Sequence, residues 1–367
     1  MKKALSLLLV VLLAMGLVAC GKKDDGSTTS GFEIALVTDV GNIDDQSFNQ
    51  SAWEAVKEYA EANGKTYAYY RPSEDSTEAR VEQIENAIEK GAKVIVCPGY
   101  LFEEALYNVQ DKHSDIMFLL LDGEPHSADY STYKTASNVH NILYKEEQPG
   151  FFAGYAAVKD GYKKLGFLGG MAVPAVVRYG YGFVQGANLA AQEMGVSDIV
   201  IDYDYAGAFS PSDDLASKMA GWYSNGTEVV FACGGSIYQS VLKSAEAGNG
   251  KVIGVDVDQG YISPLIITSA MKKLKVTTIA ALTALYGNNL TWPADYAGTT
   301  ANLGAADDAV GLPTDASSWR LNTFTVEEYT ALYNKVVNGQ LVIDNSSDPA
   351  VRPAVTNVTV NYHQDEN

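Results

Sequence analysis

Cysteine and histidine are scarce in this chain of 367 residues, with three of the first and four of the second. No CxxC or HExxH spacing occurs, and His113, His126, His140 and His363 are scattered, so no metal site is expected. The phosphate-binding patterns GxGxxG and GxxxxGK followed by serine or threonine are missing too, and no cofactor is expected. Positive charge is also short: 26 lysines and arginines face 45 acids, for a net charge of −19. Nucleic acid and anionic lipid surfaces demand cationic partners, so both are excluded as ligands. Cys97 and Cys233 lie in apolar runs, VIVCPG and VVFACGG, and read as two buried free thiols rather than a disulfide.

An almost uninterrupted apolar run, Ala4 to Val18, follows Lys2 and Lys3. It is shorter than the roughly 20 residues of a comfortable membrane span and suits a secretory signal over residues 1–19. The run closes on Leu17-Val18-Ala19-Cys20, which resembles the lipobox at which bacterial signal peptidase II cuts, making Cys20 the expected lipidation site. Residues 20–31 then read as a lipidated cysteine and a polar, flexible tether. Removal of the signal takes two lysines with it and leaves a still more acidic body. That body is too long for one typical core and suits two lobes.

Past the tether, short apolar runs (Ile34–Val37, Val94–Val96, Met117–Leu121) alternate with helix-spaced apolar residues such as Phe48, Ala52, Val56 and Tyr59. This is the βαβ pattern of a parallel sheet covered on both faces. The pattern repeats. Gly91 to Gly99 aligns with Gly226 to Gly234, and Met117 to Asp122 aligns with Val252 to Asp256. Phe48 to Asn63 has its counterpart in Phe183, Ala187, Ala190 and Met194. The reading is an α/β protein of two lobes, each a doubly wound, mostly parallel sheet, joined by a multi-strand hinge at about Asn138 to Gly150 and Gln259 to Pro264. Residues 32–140 with about 260–320 are expected to form the first lobe. Residues 141–259 with about 321–367 are expected to form the second.

The stretch TDVGNIDDQSFNQ, residues 38–50, ends an apolar strand in three acids. In open α/β sheets ligands bind beyond the carboxyl ends of strands. Asp39, Asp122 and Asp256 each follow such a strand, so both lobes are expected to turn acids toward one cleft. A bland role also fits any one of them, since aspartate often caps a helix or bonds a loop amide. Ser47 reads as the N-cap of the first helix. Phe48 at that helix start and Phe209 in the glycine-rich loop AGAFSP supply one ring from each half to sandwich a flat ligand. Phe209 plugging the base of its lobe is the competing reading.

Thr38-Asp39 with Ile43-Asp44-Asp45-Gln46-Ser47-Phe48-Asn49-Gln50-Ser51-Ala52-Trp53 resembles the signature of the basic membrane protein (BMP) family, lipoproteins typified by a purine nucleoside receptor. The likeness continues in Gly166 to Met171, Pro174, Gly182-Phe183, Gln185-Gly186, Gly254 to Gln259 and Thr268 to Lys272, from about residue 32 to about 345. The resemblance implies a type I periplasmic-binding-protein fold that captures nucleosides for an ABC importer. It implies a base stacked between Phe48 and Phe209 and read by Asp39, Asn49 and Asp122. Ribose hydroxyls would meet Asp256 and Lys272, with backbone help at Gly234; Lys272 and Gly234 rest on the resemblance alone. Val40-Gly41-Asn42 departs from the paired glycines frequent in the family and leaves base preference open. Permease and ATPase subunits are the implied partners of a monomeric receptor, held by its lipid on the extracytoplasmic face of the membrane.

Three carboxylates and one lysine in a closed cleft would also repel a phosphate, so nucleosides are expected to fit and nucleotides not. Clustered acids are compatible with a glycosidase or a nucleoside hydrolase, but GxSxG and metal spacings are missing and no enzyme is expected. Sugars or autoinducers, held by aromatics and aspartates, are the alternative ligands, and a sensory receptor is an alternative role. Amino-acid binders anchor a carboxylate with arginine; Arg71 and Arg178 are the candidates, and neither adjoins a strand-end acid.

Overall fold

The computed structural model describes residues 32–363. The signal segment, Cys20 and the tether lie outside the described residues. Along the chain run β1 (Ile34–Val37), α1 (Phe48–Ala62), β2 (Tyr67–Tyr70), α2 (Thr77–Glu89), β3 (Val94–Pro98), α3 (Glu103–Val109), β4 (Met117–Leu121) and β5 (Val139–Tyr144). The second half opens with α4 (Glu147–Lys159), β6 (Lys164–Gly169), α5 (Pro174–Met194), β7 (Ile199–Tyr205), α6 (Asp213–Ser224) and β8 (Val229–Cys233). Then come α7 (Tyr238–Gly248), β9 (Lys251–Asp256), β10 (Ile266–Lys272), α8 (Leu274–Gly287), β11 (Thr299–Leu303), β12 (Val310–Gly311), α9 (Val326–Val337) and β13 (Val358–Tyr362).

Two sheets result. The first has the order β11-β5-β4-β3-β1-β2 and the second β12-β10-β9-β8-β6-β7-β13. All pairings are parallel except β10 with β12. The inner strands β1, β3, β4 and β8 are buried along their whole length, as continuous apolar runs in a sheet covered on both faces must be. In each sheet the chain winds outward in both directions from one pair of strands, β1 and β3 in the first and β6 and β8 in the second. Each sheet therefore has a crevice at the carboxyl ends of that pair.

The internal repeat survives to single residues. β3 and β8 begin at Val94 and Val229, as the aligned glycines require, and Asp122 and Asp256, at matching strand ends, both take left-handed backbone angles, with φ of 60° and 64°. Outside glycine that conformation is uncommon and is retained where surroundings enforce it.

The crossings between sheets fall at three places. The first, between β5 and α4, lies within the expected Asn138 to Gly150. The others follow β10 and β11, at Lys272 to Leu274 and Leu303 to Val310, not at Gln259 to Pro264. That segment instead links the neighbouring parallel strands β9 and β10. It lacks periodicity because polar anchors hold it: the amide of Gln259 donates to Ser269 Oγ at 3.0 Å, and its side chain accepts from the Val255 amide at 3.0 Å. The stretch 260–320, expected with the first lobe, is accordingly shared, with β10 and β12 in the second sheet and β11 in the first.

Helices α4 and α5 pack backbone to backbone. A Cβ on Gly150 or Gly154 would lie 2.1 Å and 2.0 Å from the carbonyl oxygens of Tyr179 and Phe183, and one on Gly182 or Gly186 would lie 1.9 Å from those of Glu147 and Phe151. Two glycines on each helix, four residues apart, set this contact. It fixes the cleft-facing start of α5 against the crossing at α4.

Candidate functional site

All eight residues singled out in the sequence, Asp39, Phe48, Asn49, Asp122, Phe209, Gly234, Asp256 and Lys272, line one cavity. It lies where the crevices of the two sheets meet. Asp39 and Gly99, after β1 and β3, face Gly234, after β8, and Phe209.

The acid-rich stretch divides its labour. Asp45, not Ser47, caps α1: its two carboxylate oxygens accept from the amides of Ser47 at 2.8 Å, Asn49 at 3.0 Å and Gln50 at 3.1 Å. Ser47 makes no side-chain cap bond and donates its hydroxyl to Asp256 Oδ2 at 2.6 Å, across to the other sheet. Asn49 Nδ2 donates to Asp39 Oδ1 at 2.9 Å and to Asp45 Oδ2 at 3.2 Å. These two bonds spend both amide hydrogens and orient the side chain, leaving Asn49 Oδ1 buried without a partner. Asp44, the remaining acid, is exposed.

Phe209 lies on glycine. A Cβ on Gly170 would meet its ring at 2.4 Å and one on Gly234 at 2.9 Å, while a Cβ on Gly169 would meet Tyr205 at 2.5 Å. The Gly169-Gly170 pair, readable as a tight turn, makes room for two aromatic rings instead. Gly234 has a φ of 147°, a second reason for glycine there.

Lys272, at the end of β10, is buried among carboxylates. It pairs with Asp122, lies 3.4 Å from Glu146 Oε1 and 3.7 Å from Asp256 Oδ1, and sits over the rings of Phe48 at 4.8 Å, Tyr144 at 5.4 Å and Tyr179 at 5.7 Å. Burial alone would lower its pKa; Asp122, Glu146 and Asp256 prevail and raise it, so the amine stays charged. Burial pushes Asp39, Asp122 and Asp256 up, against the pull of Gly41 and Asn49 on the first and of Lys272 on the others. Glu146 goes the other way: burial opposes its ionisation, but Arg178, 2.6 Å away, and Lys272 hold it below the usual range. Asp122 Oδ1, like Asn49 Oδ1, is buried and unpartnered. Among the described residues no group of acids, histidines or cysteines is arranged to hold a metal ion. Cys97 and Cys233 are both free and buried.

A family profile described as "ABC transporter substrate-binding protein PnrA-like" matches residues 32–347. The chain belongs to the Bmp family. This Bmp-family chain is 29% identical over 279 residues to the ABC transporter nucleoside-binding protein BmpA of Lactococcus lactis subsp. cremoris, covering 71% of this chain and 75% of that one. It is 29% identical over 328 residues to basic membrane protein B of Borreliella burgdorferi, at 86% and 89% coverage. A solute-binding protein of an ABC transporter system from Aeropyrum pernix superposes with a TM-score of 0.72 at 21% identity, over 86% of this chain and 94% of the other. The type I binding-protein fold and the substrate-binding role of an ABC transporter follow, and that role is one of binding rather than catalysis. No helix among the described residues is long and apolar enough to cross a membrane.

The Bmp-family cavity holds residues that sequence reasoning left out. Asp45 was legible as a cap, lying just ahead of an apolar-periodic helix. Tyr179 and Tyr100 line the cavity without a sequence signal of their own. Glu146 lies one contact behind it, and joins Arg178, which does not line the cavity, to Lys272.

Proposed function

We propose that this protein captures nucleosides, purine nucleosides above all, in the cavity between its two sheets and delivers them to an ABC importer. The observation that carries the reading is the pair of buried, unpartnered acceptors, Asn49 Oδ1 and Asp122 Oδ1, in one cavity with Phe48 and Phe209. A buried acceptor without a donor is unfavourable by about 1–3 kcal/mol, and a ligand bringing N–H or O–H groups relieves it. A nucleoside brings both kinds, on a flat base suited to stacking and on ribose. In this reading Phe48 and Phe209 bracket the base, and Asp39, Asn49 and Asp122 take its polar edge. Asp256 and Lys272 take the ribose hydroxyls, with the Gly234 backbone beside them. The name of the Lactococcus relative, a nucleoside-binding protein, agrees.

Asp39, Asp122 and Asp256 each accept a bond on one oxygen, from Asn49, Lys272 and Ser47 in turn, which fixes their orientation as acceptors for ligand N–H and O–H groups. The division into lobes, the signal over residues 1–19, the lipid on Cys20 and a monomer on the extracytoplasmic face of the membrane complete the proposal. Thermal unfolding of the chain from residue 21 onward, against nucleosides, free bases, nucleoside monophosphates, pentoses and amino acids, tests it. A ligand at 100 times its dissociation constant stabilises the fold by about 2.7 kcal/mol. Purine nucleosides are expected to raise the midpoint; a response to pentoses or amino acids alone would overturn the reading.

A further inference from the structure

We infer that Glu146 and Arg178 are positioning residues that hold Lys272 in place within the cleft, a step behind the surface that meets ligand. The inference rests on Lys272 facing ligand as proposed above.

Glu146 is fully buried and sits where the chain passes from β5 of the first sheet to α4. Its Oε2 accepts from Arg178 Nε at 2.6 Å, and its Oε1 accepts from Lys272 Nζ at 3.4 Å. Arg178 lies on α5, which packs by glycine contacts on α4, and Lys272 ends β10 of the second sheet. Both contacts of Glu146 are thus made on the second sheet's side of the crossing. The bond from Lys272 to Asp122, which follows β4, instead spans the two sheets and depends on how they meet. Without Glu146 the amine would keep that spanning bond as its shortest contact, with Asp256, 3.7 Å off, as its one remaining carboxylate in the second sheet, and would be drawn toward Asp122. Arg178 in turn keeps Glu146 ionised and directed, since a buried carboxylate facing one lysine shared by two further acids is otherwise undercompensated.

The test is a double-mutant cycle of Glu146→Gln and Lys272→Met, read by inosine affinity in calorimetry. Glu146→Gln is expected to weaken inosine binding at least tenfold, and to change it less than twofold once Lys272 is already Met. An undiminished loss in the Lys272→Met background, or no loss in the wild-type background, overturns the inference. Hypoxanthine separates positioning from general damage: its affinity is expected to stay within twofold in Glu146→Gln, because Lys272 faces the sugar, and an equal loss for base and nucleoside counts against us. If Glu146→Gln leaves Arg178 unpaired and does not fold, the neutral pair E146Q/R178M replaces it. The same cycle run on urea unfolding without ligand distinguishes this inference from the nucleoside reading. Coupling of at least tenfold in the folding constant supports positioning even if no nucleoside binds, and additivity overturns it.

Discussion

At the residue scale the cavity is built from acceptors held still by their neighbours. Asn49 illustrates the logic, since both its amide hydrogens are occupied by Asp39 and Asp45 and only its oxygen remains to meet a ligand. Asn49→Leu is therefore expected to weaken nucleoside binding about 10- to 100-fold, through the loss of one buried hydrogen bond to ligand and of one of the donors that orient Asp39. Calorimetric titration checks this, and an unchanged affinity would remove Asn49 from the binding set. Glu147 is a different case. Its Oε2 is buried without a partner, and burial raises its pKa to about 7. An acid raised in the folded state stabilises most below its unfolded pKa near 4.5, and that contribution is lost as pH climbs through 7. Above that, the ionised carboxylate destabilises the fold by up to about 3 kcal/mol. Glu147→Gln should then be more stable than wild type at pH 8, with a much smaller gain at pH 5; urea unfolding at the two values decides, and a gain of equal size at both would refute the assignment.

At the element scale the glycines of α4 and α5 matter more than any single side chain. Gly154→Ala or Gly186→Ala places a methyl about 2 Å from a carbonyl oxygen, so the helices must part. Overpacking of this kind destabilises by about 1–3 kcal/mol. Because the start of α5 lines the cavity, nucleoside affinity is expected to fall with stability; denaturation midpoints and affinities for both variants check the link, and an Ala variant as stable as wild type would show that the helices accommodate the methyl. The elements themselves were readable in advance, since continuous apolar runs and helical spacing report burial directly and the repeat of glycines 135 residues apart marked the two halves. The strand-end acids were readable because each follows an apolar run, at the sheet end where open α/β folds bind ligands. What escaped were contacts between distant segments. Ser47 had every local mark of a cap, but Asp256, 209 residues away, claims its hydroxyl. Glu146 and Lys272 lie 126 residues apart, and no spacing rule joins them.

At the scale of the whole molecule the two halves meet through polar bonds that converge on the ligand cavity. Ser47 to Asp256, Lys272 to Asp122, and Gln259 Nε2 to the Gln46 carbonyl at 2.9 Å all join the strand ends and following turns of the first sheet to those of the second. The cavity they close carries Asp39, Asp45, Asp122 and Asp256 against a single lysine, and burial raises the pKa of all four acids, so this site disfavours negative charge before any ligand arrives, within a chain of net charge −19. A nucleoside adds no charge to this balance. Its 5′-monophosphate adds about two negative charges, and like charges near 4 Å apart repel by about 4 kcal/mol at an effective dielectric constant of 20. Lys272, already shared among three carboxylates, has little attraction left to offset this. Inosine 5′-monophosphate is therefore expected to bind at least 100-fold more weakly than inosine. Because the repulsion acts where bulk ions do not reach, raising the salt from 0.05 M to 0.5 M should recover only a small part of the difference, whereas a penalty arising from the exposed surface would be largely screened. Paired titrations at the two salt concentrations decide the matter. Equal affinities would mean that the phosphate lies outside the cleft, and full recovery in salt would move the origin of the discrimination from the cavity to the acidic exterior.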